Sequence, residues 1–95
     1  MTKSIGLKKI NTAIFISGTG TNLRNLIKFS LSKNSPIIIK TVISDNSKAK
    51  GLYFAKKYRI KKKIFRFSKN HENKILNFLR KNEISLICLA GFMKI

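Results

Sequence analysis

The sequence predicts an α/β chain with a parallel sheet in the order β-α-β-α-β-α-β, and three observations carry that expectation. Short β-branched or apolar runs alternate with segments whose apolar residues recur at helical spacing. A glycine-rich turn, Ser17-Gly18-Thr19-Gly20-Thr21, joins the first run directly to the first helical segment. The last run, Leu86-Ile-Cys-Leu-Ala90, is apolar throughout, the pattern of a strand covered on both faces.

Taken in order, Met1–Asn11 is a polar, basic lead-in, and residues 12–95 form one structural unit. Ala13–Ile16 is the first strand. A helix follows from Asn22 to about Leu31, with Leu23, Leu26 and Ile27 on one face. Pro36 closes the Ser32–Ser35 turn, because the residue before a proline is pushed out of the helical region. Ile37-Ile-Ile-Lys-Thr-Val-Ile43 is the strongest strand signal, being almost wholly β-branched. Ser44-Asp-Asn-Ser47 supplies turn chemistry. The second helix is expected from Lys48 to Tyr58, with Leu52, Ala55 and Tyr58 at three-residue steps, and Arg59–Lys63 returns the chain to a third strand, Ile64-Phe-Arg-Phe67. Ser68 or Asn70 caps the third helix, and Glu72 sits in its first turn, where the helix dipole favours negative charge. Its apolar stripe is Ile75, Leu76, Phe78 and Leu79, and Lys81-Asn82 ends it. No internal repeat or low-complexity linker interrupts this order.

The glycine turn is the candidate functional element. Gly18 and Gly20 permit positive φ and close approach of a ligand to the backbone. Thr19 and Thr21 add hydroxyl donors, and Thr21 or Asn22 caps the helix. The first N–H groups of that helix lack intrahelical partners and carry partial positive charge, which suits an anion. A phosphate loop of the Gly-Lys-Ser/Thr type is excluded, since no lysine follows until Lys28. A dinucleotide fingerprint requires a third glycine where Leu23 stands. The loop therefore suits a single phosphate group, and the alternative is a tight strand–helix turn that binds nothing.

Composition sets the remaining bounds. The chain carries 21 lysines and arginines against three acids, Asp45, Glu72 and Glu83, for a net charge of +18. Its hydrophobic fraction of 43% is ample for a core. The lysines are spread along the whole chain and accompany abundant Ile and Asn, the mixture that A/T-rich codon usage produces. Nucleic acid is therefore expected to bind only nonspecifically. The run Arg59, Lys61, Lys62, Lys63 reads as a solvated face without interleaved aromatics. Asp45, after the second strand, has a turn role or, as in dinucleotide folds, a ribose-binding one. Cys88 is the sole cysteine, so no internal disulfide forms, and it reads as an inert core residue. No metal site is expected. The first residues lack an apolar signal region, and Ala13–Ile16 is too short to span a membrane, so the expectation is a soluble cytoplasmic protein.

Three segments together resemble one family: Ile16-Ser-Gly-Thr-Gly-Thr-Asn-Leu23, Ile43-Ser-Asp-Asn-Ser-Lys-Ala-Lys-Gly-Leu52 and Leu89-Ala-Gly-Phe-Met-Lys-Ile95. Their order and spacing are similar to those of the glycinamide ribonucleotide transformylases (phosphoribosylglycinamide formyltransferases). The resemblance implies a Rossmann-like parallel sheet, the N-terminal half of the formyltransferase fold. It implies formyl transfer from 10-formyltetrahydrofolate to the amine of glycinamide ribonucleotide, in purine synthesis. It places the ribonucleotide phosphate on Gly18, Thr19, Gly20, Thr21 and Asn22. It places folate against Met93, Lys94 and Ile95, with Lys94 where arginine is usual. A basic residue early in the third helix also approaches folate, and the matching position is His71. Read from its neighbours alone, His71 is an exposed helix-start residue. The family's catalytic Asn-x-His-Pro segment and its aspartate match nothing in these 95 residues, and His71 is followed by Glu72-Asn73, not by that motif. The resemblance thus implies a fragment that holds the phosphate subsite but is inactive alone, with a C-terminal half as a possible partner. Two other readings stay open: a small basic α/β module that binds nucleic acid, and another Rossmann-type nucleotide-binding enzyme.

Overall fold

The computed structural model describes residues 9–18, 21–66 and 71–90, the side chain of Thr21 excepted. Seven elements follow in the expected alternation: β1 (Ile10–Ile16), α1 (Thr21–Ser30), β2 (Ile37–Ser44), α2 (Leu52–Lys57), β3 (Lys61–Ile64), α3 (Glu72–Lys81) and β4 (Leu86–Leu89). The strands form one parallel sheet in the order β3-β2-β1-β4.

Strand alternation sends β1 side chains to two cores. Ile14 and Ile16 join Leu23 and Ile27 of α1 and Leu52 and Ala55 of α2 on one face. Ala13 and Phe15 meet Ile75 and Leu79 of α3 on the other, together with Ile43 and Phe65. Helices thus cover both faces. The β1–β2 register slips between Thr12 and Ala13, which pair with Ile39 and Thr41, leaving Lys40 as the extra residue. The extra residue resets the alternation of β2. Ile37 and Ile39 before it and Val42 after it consequently reach the same core. Two threonines are fully buried in the sheet, and each hydroxyl has a partner: Thr12 Oγ1 donates to the Ile10 carbonyl at 3.0 Å, Thr41 Oγ1 to the Lys61 carbonyl at 3.1 Å.

Several boundaries differ from expectation. β1 begins at Ile10 rather than Ala13, because Ile10, Asn11 and Thr12 pair with Ile37, Ile38 and Ile39. α2 is shorter than Lys48–Tyr58. The residues before it form successive tight turns, with Leu52 N–H bonded to the Ala49 carbonyl at 3.0 Å and Tyr53 N–H to the Lys50 carbonyl at 3.1 Å. The third strand is Lys61–Ile64, earlier than the expected Ile64–Phe67, whose Phe67 lies outside the described residues. It lies at the sheet edge with all four residues exposed, so lysines are tolerated there and an apolar pattern is not required. Leu76, expected in the α3 stripe, is 49% exposed, while Ile75 and Leu79 are buried. β4 is not covered on both faces. Among the described residues it pairs only with β1, and Ile87 and Leu89 are 47% and 63% exposed. Ser68 and Asn70, the expected α3 caps, lie outside the described residues, and His71 occupies the N-cap position.

α2 and α3 terminate alike. The residue after each C-cap has positive φ, 57° at Arg59 and 56° at Glu83. Ile60 N–H bonds back to the Ala55 carbonyl at 2.8 Å, and Ile84 N–H to the Leu79 carbonyl at 3.0 Å. Both are Schellman turns with a side chain where glycine is usual.

Candidate functional site

In a parallel sheet all strands end at the same side. The chain runs outward from β1 to β2 to β3, with α1 and α2 on one face, and then crosses back under α3 to place β4 on the other flank of β1. The strand order therefore reverses between β1 and β4. In open α/β sheets the crevice at such a reversal, outside the carboxyl ends of the strands, is where ligands bind. The carboxyl ends of β1 and β4 border it, where Ser17, Gly18 and Ala90 are described.

The β1 exit is anchored on two sides. Ala90 N–H donates to the Phe15 carbonyl at 2.9 Å, tying the end of β4 to β1. Gly51 N–H donates to the Gly18 carbonyl at 3.0 Å, tying the glycine loop to the start of α2. A Cβ added at Gly18 would meet nothing within 4 Å, and its φ is not positive. Neither packing nor a left-handed backbone thus demands glycine at this position in the fold itself, in contrast to the left-handed conformation the sequence allows. Thr21 and Asn22 are the first two residues of α1 and lie inside the helix, so neither is its cap. Their N–H groups belong to the four that a helix leaves without intrahelical partners. Asn22 is exposed, while Leu23 behind it is fully buried and fixes the helix against the sheet.

The β2 exit is a compact polar turn. Ser44 Oγ accepts from Asn46 N–H and donates to the Asn46 carbonyl, both at 3.0 Å, and Asn46 Oδ1 accepts from Lys48 N–H at 2.9 Å. These bonds support the turn role of this segment, in which Asp45 is half-buried. His71 is half-buried at the start of α3, away from the β1 exit in sequence but at the same carboxyl side of the sheet. Of the other expected site residues, Thr19, Gly20, Met93, Lys94 and Ile95 lie outside the described residues. Among the described residues no three His, Cys, Asp or Glu side chains group as a metal site, and no helix is long and apolar enough to cross a membrane. Cys88 is half-buried against the α1/α2 core.

An open parallel sheet with helices on both faces and a strand-order reversal between β1 and β4 defines a Rossmann-like fold. Comparison with known proteins makes this specific. The formyl transferase family model matches residues 10–95, and the chain belongs to that family. It is similar to the phosphoribosylglycinamide formyltransferase of Haemophilus influenzae, 42% identical over 94 residues, covering 94% of this chain and 43% of that protein. It also matches the human trifunctional purine biosynthetic protein adenosine-3, 36% identical over 93 residues, covering 93% of this chain and 9% of that protein. Among solved structures, the Brucella melitensis phosphoribosylglycinamide formyltransferase superposes with a TM-score of 0.86 at 34% identity, covering 93% of this chain and 48% of that one. The chain spans less than half the length of these relatives.

Proposed function

We propose that this chain is the phosphate-holding portion of a phosphoribosylglycinamide formyltransferase, with residues 10–95 its N-terminal portion, since Ile10 and Asn11, expected in the basic lead-in, belong to β1. The enzyme moves a formyl group from 10-formyltetrahydrofolate to the amine of glycinamide ribonucleotide, in the cytoplasm, as a step of purine synthesis. What supports the reading is that β1 ends and α1 begins beside the β1/β4 strand-order reversal, with Gly18-Thr-Gly20 between them in sequence.

Gly18 to Asn22 hold the ribonucleotide phosphate, chiefly through backbone N–H groups at the α1 N-terminus. The open space in front of Gly18 supports close approach of the anion. Met93, Lys94 and Ile95, on the segment leaving β4, line the folate side of the same crevice, and His71 approaches folate from the start of α3. This places donor and acceptor on the two flanks of the reversal point. Transfer forms a C–N bond between the ribonucleotide amine and the formyl carbon and breaks the bond from that carbon to the folate nitrogen, which takes up a proton. The groups that stabilise the intermediate oxyanion and move that proton correspond, by resemblance, to none of these 95 residues. The chain's own task is to bind and orient the acceptor.

The test has two arms. Inorganic phosphate, then glycinamide ribonucleotide, is titrated into labelled protein while amide shifts at residues 18–22 are followed. Each hydrogen bond to a charged phosphate is worth roughly 1.5–3 kcal/mol, so Gly20→Val, which blocks approach to the backbone, abolishes the shifts. Equal shifts in both proteins would overturn the phosphate assignment. In the second arm formyl transfer is absent from the 95-residue chain and appears when the C-terminal half of a transformylase is added. Turnover by the 95 residues alone would overturn the division of labour.

A further inference from the structure

The far edge of the sheet carries a feature that formyl transfer does not use. β3 exposes Lys61, Lys62 and Lys63, and α3 runs beside it, bringing Phe78 near Lys61 and Lys63. Residues 74, 77, 78 and 81 of α3 stand at steps of three and four, so Lys74, Asn77, Phe78 and Lys81 form one stripe. With Lys63 and Phe65 they line an open groove of about 360 Å³ that contains no carboxylate. Phe65 lies two residues after Lys63 in sequence, and the fold adds Phe78 of α3 beneath Lys61 and Lys63. Phe65 and Phe78 meet edge to face at 5.5 Å. Lys63 Nζ stands 5.8 Å from the Phe65 centroid and 5.9 Å from that of Phe78. Lys61 Nζ is 6.0 Å from the Phe78 centroid and donates to Asn82 Oδ1 at 3.0 Å.

We propose that this β3/α3 groove is a binding surface for single-stranded nucleic acid. Lys63 in the groove, over two ring faces, and Lys61 beside it, on Asn82 and the Phe78 ring, lose less side-chain freedom on meeting a phosphate than a solvated lysine does. Lys74 and Lys81 lie about 10 Å apart along the helix and extend the charge beside the rings. The half-buried Phe78 offers a base a stacking surface between them. Protecting a sheet edge from association explains lysines on β3, but not the lysines of α3. The reading is independent of the phosphate loop, which lies on the other side of β2.

The test measures fluorescence anisotropy with a labelled oligothymidylate across a salt series. The variant Lys63→Gln/Lys74→Gln/Lys81→Gln is compared with Lys28→Gln/Lys33→Gln/Lys56→Gln, which carries the same net charge with its changes outside the groove. Each phosphate contact contributes about 0.7 to the slope of log K against log salt for single strands. The groove variant therefore binds on the order of 100-fold more weakly at 0.1 M salt, with a slope shallower by about 2. The control keeps its slope. Phe78→Trp introduces the chain's only tryptophan, and its emission changes as the oligonucleotide binds. Equal losses in the two triple variants, a duplex binding more tightly than the single strand, or constant tryptophan emission at saturation would each overturn the proposal.

Discussion

Replacing Glu83 with glycine stabilises the protein. Glu83 follows the α3 C-cap at φ 56°, in the left-handed region where an L side chain costs roughly 1–2 kcal/mol. Both bonds of the turn are made by backbone, Glu83 N–H to the Arg80 carbonyl at 2.9 Å and Ile84 N–H to the Leu79 carbonyl at 3.0 Å, so the substitution keeps them. The bond from Asn11 Nδ2 to the Glu83 carbonyl, 3.0 Å, also survives. A glycine has more freedom to lose on folding, which takes back about 0.4–1 kcal/mol. The exposed carboxylate lies at the negative end of α3, and removing it adds about 0.3 kcal/mol. The net gain is about 1 kcal/mol, a rise in Tm of roughly 4–8 °C for a chain of this size. Urea denaturation of Glu83→Gly, Glu83→Ala and wild type separates the contributions. Alanine removes the charge but keeps the strained backbone, so it gains no more than a few tenths of a kcal/mol. A Glu83→Gly protein no more stable than wild type, or equal gains from alanine and glycine, would refute the reasoning.

Other substitutions probe the core and the apolar edge. Ile14→Ala, at a fully buried position in the α1/α2 core, costs about 2–5 kcal/mol and unfolds at correspondingly lower urea. Ile87→Lys/Leu89→Lys places charge on the exposed β4 edge and lowers self-association, read by sedimentation velocity against protein concentration, while leaving the far-UV circular dichroism unchanged. Unchanged sedimentation would show that this edge does not drive association.

What the sequence made legible follows from which residues the sheet buries. Ile37–Ile43 and Ala13–Ile16 lie in the two central strands, where β-branched and apolar runs are required, and both appear as read. β3 did not announce itself because an edge strand needs only backbone pairing on one side. Lys61-Lys62-Lys63 satisfies that as well as valine would, and the aromatics expected in the strand instead begin after it, Phe65 turning into the α3 core. The first residues of β1 were hidden by Asn11 and Thr12, polar residues whose side chains find carbonyl partners. At the site, the glycine spacing pointed to the junction after β1, but not to the bond that pins Gly18 to Gly51, 33 positions away along the chain. Nor did it show Lys61 and Lys63 over Phe78, a contact that exists only once α3 has crossed back.

The central position of β1 has a consequence in time. One edge of β1 pairs with β2, whose partners begin at Ile37, and the other pairs with β4, whose partners begin at Leu86. A ribosome adds about 5–20 residues per second, so the second partner of β1 emerges several seconds after the first. Through that interval the newborn chain holds Thr12–Phe15 with one row of amides and carbonyls unmatched, beside a buried apolar run. The residues beside the strand-order reversal are therefore the ones most in need of shelter during synthesis.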